Sequence, residues 1–387
     1  MHPHKKTKNH KFMNKTISNI IIGLMLLGGV AFAKSAALPS AGITPGSPFF
    51  FLERLFENIE TFFTFGEANK AQRFITLAEE RLAEVKVLAE RGDNDNVERA
   101  SELYEKQFTE AKEKAKRSGD ENALARVTEA TSKHFTVLEE VIERVPEQAK
   151  ISVQRALENS KQGQISALQA LSRVNPDRAV EAGTSAVREI AQQARAHVAE
   201  RKSEALEQKL RHFEGVFNSF ANAPQGRVDV EAKFSERMTE IINELDEAKN
   251  EAEDAGIGKS EVERVRNVKG AVIDSQLFSL RELVKENPEK AVEIFANAAE
   301  GRLNAAKRDA EERNGEAIEE SLEDYNKYAE FGQQISTMVE GIRTGDVTVE
   351  ELVEKATSHH IQVLQEVQQK LPVQTPGMPE QTTGKRP

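Results

Sequence analysis

A chain of 387 residues carrying 53 basic and 64 acidic side chains, a net charge of −11, has room for two or three ordinary domains and repels nucleic acid over most of its surface. It contains no Cys and no Trp, which excludes a disulfide framework, a lipid-modified thiol and thiol catalysis. With 30% charged and only 38% apolar residues, and Ala, Glu, Lys and Leu dominant, the composition is that of long helices buried along one stripe.

In chain order, Lys5, Lys6, Lys8, Lys11 and Lys15 precede an uncharged apolar run, Ile20 to Phe32, that ends in Ala31-Phe32-Ala33. This is the layout of an export signal over residues 1–33, with a small-x-small cleavage site. The run is short for a spanning helix, although an uncleaved anchor starting near Ile17 is the alternative. Either way the remainder is expected outside the cytoplasm, and loss of the five lysines deepens its acidic excess.

Residues 34–47 form a flexible linker, and a Phe-rich helix is expected over 48–66, with Ser47 as N-cap and Pro48 at the first helical position. Leu52, Leu55, Phe56, Ile59, Phe62 and Phe63 share one face of it, and Glu53, Arg54, Glu57, Asn58, Glu60 and Thr61 the other. Phe49, Phe50 and Phe51 add to the aromatic cluster. So much apolar surface needs a cover. Three covers are open: the end of the first helical bundle, a membrane surface, or a partner protein. Three glutamates against one arginine on the polar face are the wrong sign for anionic lipid.

An internal repeat follows. Asn175-Pro176-Asp177-Arg178-Ala179-Val180-Glu181 recurs as Asn287-Pro288-Glu289-Lys290-Ala291-Val292-Glu293, and upstream Gln164, Leu168 and Leu171 correspond to Gln276, Leu280 and Leu283. Likewise Ala78-Glu79-x-Arg81-Leu82 recurs as Ala299-Glu300-x-Arg302-Leu303, and Ala130-Thr131-Ser132-x-His134 as Ala356-Thr357-Ser358-x-His360. The repeats span 67–174, 175–286 and a truncated 287–371, before a Pro-rich tail at 372–387. Breaks at Gly92, Gly119, Val145-Pro146, Ser203, Pro224 to Gly226, Gly256 to Gly258, Gly315 and Gly345 divide them into helices with coiled-coil-like stripes such as Phe135, Leu138, Ile142 and Val145. The fold class is therefore all-α: tandem diverged repeats of about four antiparallel helices, an elongated bundle or array with no period-2 strand.

The stretch Ile43-Thr44-Pro45-Gly46-Ser47-Pro48-Phe49-Phe50-Phe51-Leu52-x-Arg54-Leu55, then Phe62-Phe63-Thr64-Phe65 and Leu77-Ala78-Glu79-Glu80-Arg81-Leu82, resembles a bacterial and archaeal family of exported or membrane-anchored helical proteins classed as a domain of unknown function. Such proteins place a Thr-Pro-x-Ser-Pro-aromatic motif just after the export signal. Gly46 departs from the Asp of many relatives. The resemblance implies an extracytoplasmic helical protein and brings no activity, ligand or catalytic residue with it.

Chemistry-bearing patterns are sparse. No histidine has Glu three residues before it, as helical di-iron sites require, and His359 and His360 point about 100° apart on a helix. Asp93-Asn94-Asp95-Asn96 lacks the ligand ladder of a calcium loop and reads as capping. There is no Gly-x-Ser-x-Gly elbow or phosphate loop, and the many carboxylate pairs read as solvated helix faces. No catalytic residue, cofactor or metal is expected. The function expected is a non-enzymatic scaffold, spacer or adaptor of the cell envelope. Its partners would be an envelope protein or itself, with no nucleic acid and with membrane contact only through the N-terminal segment. A chaperone-like or stress-sensing protein that binds unfolded clients or lipid is the alternative, and an exposed apolar groove is what would favour it.

Overall fold

A computed structural model of the chain describes residues 38–312, 315–338, 343–344 and 347–370. The expected signal over 1–33 and the tail over 372–387 lie outside the described residues, and all that follows concerns the unit formed by residues 39–387. Twelve helices are seen among the described residues. They are α1 (Phe50–Phe62), α2 (Glu67–Glu90), α3 (Asn94–Ser118), α4 (Glu121–Arg144), α5 (Glu147–Val174) and α6 (Pro176–Ala199), then α7 (Ser203–Phe220), α8 (Val228–Asp254), α9 (Lys259–Glu286), α10 (Pro288–Glu311), α11 (Gly315–Met338) and α12 (Val349–Lys370). Among these residues no helix is long and apolar enough to cross a membrane.

Local chemistry explains most boundaries. Asn175 and Asn287 accept from the backbone N–H groups of Arg178 and Lys290, each at 3.1 Å, with proline at the first helical position. Gly119 closes α3 at φ +60, and Asp120 caps α4 through the Ala123 N–H at 2.8 Å. Asp93 caps nothing; its carboxylate accepts from the Asn96 amide. The first helix begins two residues later than Pro48, because Ser47 closes a tight turn on Phe50 before the α-helical ladder starts. A two-residue antiparallel ladder, β1 (Arg343–Thr344) with β2 (Val347–Thr348), brackets the Gly345 break, where no period-2 pattern announces a strand.

From α2 onward each helix packs on the next but one, and nearly all pack on the next. The even helices thus form one layer and the odd helices from α3 a second. This packing runs through both Asn-Pro junctions, α5 onto α6 and α9 onto α10. Helices approach closely, within a layer and between layers, where a ring meets a glycine. A Cβ on Gly163 would lie 2.3 Å from the Phe108 ring, and Gly183 and Gly332 receive Phe220 and Phe295 in the same way. At the C-terminal end Leu303, Ile318, Val363 and Val367 close the core. The outer side of α12 is polar: Ser358, His359, Gln362, Gln365 and Gln369 are exposed, with Ile361 alone among them.

The expected burial of the α1 apolar face is not found. Phe50 and Glu57 are buried, whereas Phe49, Phe51, Leu52, Leu55, Phe56, Ile59, Phe62 and Phe63 are exposed. The helix meets the array through its charged side.

Candidate interaction site

Arg81 of α2 supplies the reason. It is fully buried, and its guanidinium donates to Glu57 of α1 and to Glu84, the latter at 3.0 Å. It also lies 5.4 Å from the centre of the Phe50 ring. The repeat counterpart, Arg302 of α10, is buried too, but takes its carboxylate from Asp246 of α8, the helix before α9. Arg81 instead takes its interhelical carboxylate from α1, beside Glu84 of its own helix. A buried guanidinium without a partner costs several kcal/mol, about 3–5 when one partner of a buried pair is removed. The Glu57 contact therefore fixes which side of α1 meets α2, with the apolar face on the opposite side.

The register that pairs Ala78 with Ala299 lays α1 on the second half of α9 without a gap. Phe51, Leu52, Leu55, Phe56, Ile59, Phe62 and Phe63 fall on Val272, Ile273, Gln276, Leu277, Leu280, Leu283 and Val284. These positions are 0–9% exposed in α9 and 37–77% exposed in α1. The exchange is reciprocal, because buried Glu57 falls on Phe278, which is exposed. Leu55 stands where the inner repeats carry buried glutamines. Gln164 donates to the Thr128 carbonyl of α4 at 3.2 Å, and Gln276 to the Ser235 carbonyl of α8 at 2.6 Å. The inner copies thus clamp the preceding helix with an amide, and α1 offers an aliphatic side chain instead. An open cleft of about 640 Å³ runs beside the start of α1, between Phe51, Leu55 and Leu103 of α3.

The carboxylates expected on solvated faces include several that are buried. Glu84 is pushed up to about 8 by burial, against the pull of Arg81, and burial also raises Glu53 and Glu80. Between the second and third repeats Asp246, Glu320 and Asp324 converge closely enough to hold a cation. The cation there is the Lys269 ammonium, 2.8 Å from Asp246 and 2.7 Å from Asp324 and bonded to Glu320, while Lys249 reaches Glu320 at 2.9 Å. Burial alone would lower the pKa of Lys269, but the three carboxylates outweigh it and hold the ammonium charged. A metal would have to displace a lysine from a charge-matched network, so the donor set fits a structural brace. Ser160, Tyr104 and His134 bring hydroxyls and an imidazole together, with Tyr104 Oη 2.8 Å from His134 Nδ1, yet all three are sealed from solvent. The arrangement ties α3, α4 and α5, and Tyr325 with His360 repeats it at 3.4 Å.

These features define a tandem α-helical repeat protein with one unpaired apolar face. The chain belongs to the family described as Domain of unknown function (DUF5667), whose model matches residues 42–148 and 273–374, just over half of it. The first match takes in α1 and the second takes in the end of α9. No curated protein matches the chain. Among solved structures it is similar to a "Circular tandem repeat protein with novel repeat topology and enhanced subunit contact surfaces", at 16% identity and TM-score 0.59 over 82% of this chain and 75% of that one. A structure described as "Computational Design of Self-Assembling Cyclic Protein Homooligomers" matches at 15% identity and TM-score 0.36 over 78% of this chain and 95% of that one. At such identities the likeness is one of fold alone.

Proposed function

We propose that the protein is an exported, non-catalytic scaffold or adaptor that works by contact, presenting the α1 face at the N-terminal end of a self-covered helical array. The observation that carries this is the reversal of α1, whose apolar face points outward while its charged side is locked to Arg81. Outside the segment around α1, the large exposed apolar side chains among the described residues are Ile151, Val174, Phe278 and Ile361, scattered singly. That pattern favours a single docking surface over the groove that an unfolded client needs. Export rests on the basic and apolar N-terminal segment.

The test is covalent cross-linking of the full-length chain in intact cells, beside a variant with Leu55→Ser, Phe56→Ser and Phe62→Ser. The native chain is expected in cross-linked assemblies, and the variant alone, with its melting temperature unchanged. Identical patterns for the two would overturn the reading.

A further inference from the structure

We propose that a second copy of this chain covers the α1 face, with the two α1 helices antiparallel about a two-fold axis at the Leu55–Phe56 midpoint. The inference deepens the contact reading above and rests on it.

Six of the eight exposed apolar positions, Phe49, Leu52, Leu55, Phe56, Ile59 and Phe62, follow one another in steps of three, three, one, three and three, with Phe51 and Phe63 outside that series. That series is the same read from either end. Antiparallel pairing about its midpoint sets Phe49 against Phe62, Leu52 against Ile59 and Leu55 against Phe56 of the second copy, so apolar meets apolar at these six positions, while Phe63 falls opposite Pro48 and Phe51 opposite Glu60 at the edge. A two-fold interface requires this self-complementarity; a lipid surface or an unrelated partner does not.

Size agrees. The exposed parts of these side chains, with Phe51 and Phe63 beside them, amount to on the order of 1,000 Å², against the ~800 Å² per partner of a standard interface. The other ways of covering the face fit less well. Head-to-tail stacking would bring the polar outer side of α12, rich in glutamine, onto phenylalanines. Lipid would meet a helix whose charged residues are Glu53, Arg54, Glu57 and Glu60, in a chain of net charge −11. In the inner repeats the equivalent face already rests on a neighbouring helix, as Gln164 on α4 and Gln276 on α8 show.

The chain has no cysteine, so an introduced thiol reports on its own neighbours. Two differently tagged full-length copies, L52C in one and I59C in the other, are co-expressed and oxidised both in intact cells and after purification. In the antiparallel pair these positions face each other, whereas Leu52 lies about 10 Å along the axis from its own copy, beyond disulfide reach. The expected result is a mixed covalent dimer several-fold more abundant than either self-linked dimer, repeated by F49C with F62C. Equal yields from all combinations would overturn the two-fold geometry. Disulfides to a different protein would overturn the second copy and leave the contact scaffold standing. Thiols that form no adduct and react freely with a water-soluble maleimide would remove both readings. Thiols shielded from maleimide without a protein adduct would assign the face to lipid and overturn the second copy.

Discussion

The α1 helix and the second half of α9 are one stretch of the repeat used in opposite ways. In α9 the apolar positions are sunk between neighbours and Phe278 looks out; in α1 the apolar positions look out and Glu57 is sunk. The difference follows from a buried arginine in the first and third repeats and from where each finds a carboxylate. Arg302 is supplied by α8, which leaves α9 free to bury its oily side. Arg81 is supplied by α1. A terminal repeat copy is thus no interior copy with a face uncovered: its electrostatics choose which side it shows.

The largest effect is expected where the second and third repeats meet. Lys269→Met strands Asp246, Glu320 and Asp324 around an uncharged side chain and should destabilise the fold by roughly 3–5 kcal/mol in denaturant titration. A loss below ~1 kcal/mol would mean that the carboxylates already share protons. The comparison itself is sharpened by a matched pair. Leu280→Ala in α9 should cost about 2–5 kcal/mol, and its counterpart Ile59→Ala under ~0.5 kcal/mol in dilute protein. Equal costs would show that the apolar side of α1 packs inward in solution. Next, Gly163→Ala drives a methyl into the Phe108 ring and should cost about 1–3 kcal/mol in thermal unfolding; an unchanged midpoint would mean that the ring moves aside freely.

The smallest effects are in the pH profile. His134 and His212 are held down at about 3 and about 2 by burial, so the folded state binds fewer protons than the unfolded one below 6.5. Stability from these imidazoles is full above 6.5 and falls as pH drops below that value. Glu84 has the opposite sign. Raised from 4.5 to about 8, its contribution is full below 4.5 and lost as pH rises through about 8. Stability measured across pH should therefore peak at mildly acidic to neutral values, and Glu84→Gln should flatten the alkaline limb alone. An alkaline limb that stays as steep would reassign it to other groups.

Much of the fold was legible because helix ends are written in local chemistry. Asn175-Pro176, Asn287-Pro288, Gly119-Asp120 and Val145-Pro146 mark their breaks to within a residue or two. The amphipathic pattern of α1 was equally plain, but periodicity gives a helix two faces without saying which one turns inward. That depended on a guanidinium distant in sequence. Lys269, Asp246, Glu320 and Asp324 were missed for a related reason: on paper each is one more charge on a charged helix, and burial comes from the layers closing over it. A clue was present in Arg81 and Arg302, charged side chains at the same place in two repeats amid alanine and leucine.

Packing dominated by the next helix and the next but one has a genetic consequence. The stretch from Asn175 to Glu286 starts on an Asn-Pro cap and is followed by another, so an in-frame duplication or loss of it rejoins helices that already share the same register. Copy number can then drift between lineages while selection acts on the two termini. The aromatic start and the glutamine-rich finish are where relatives of different length are expected to stay alike.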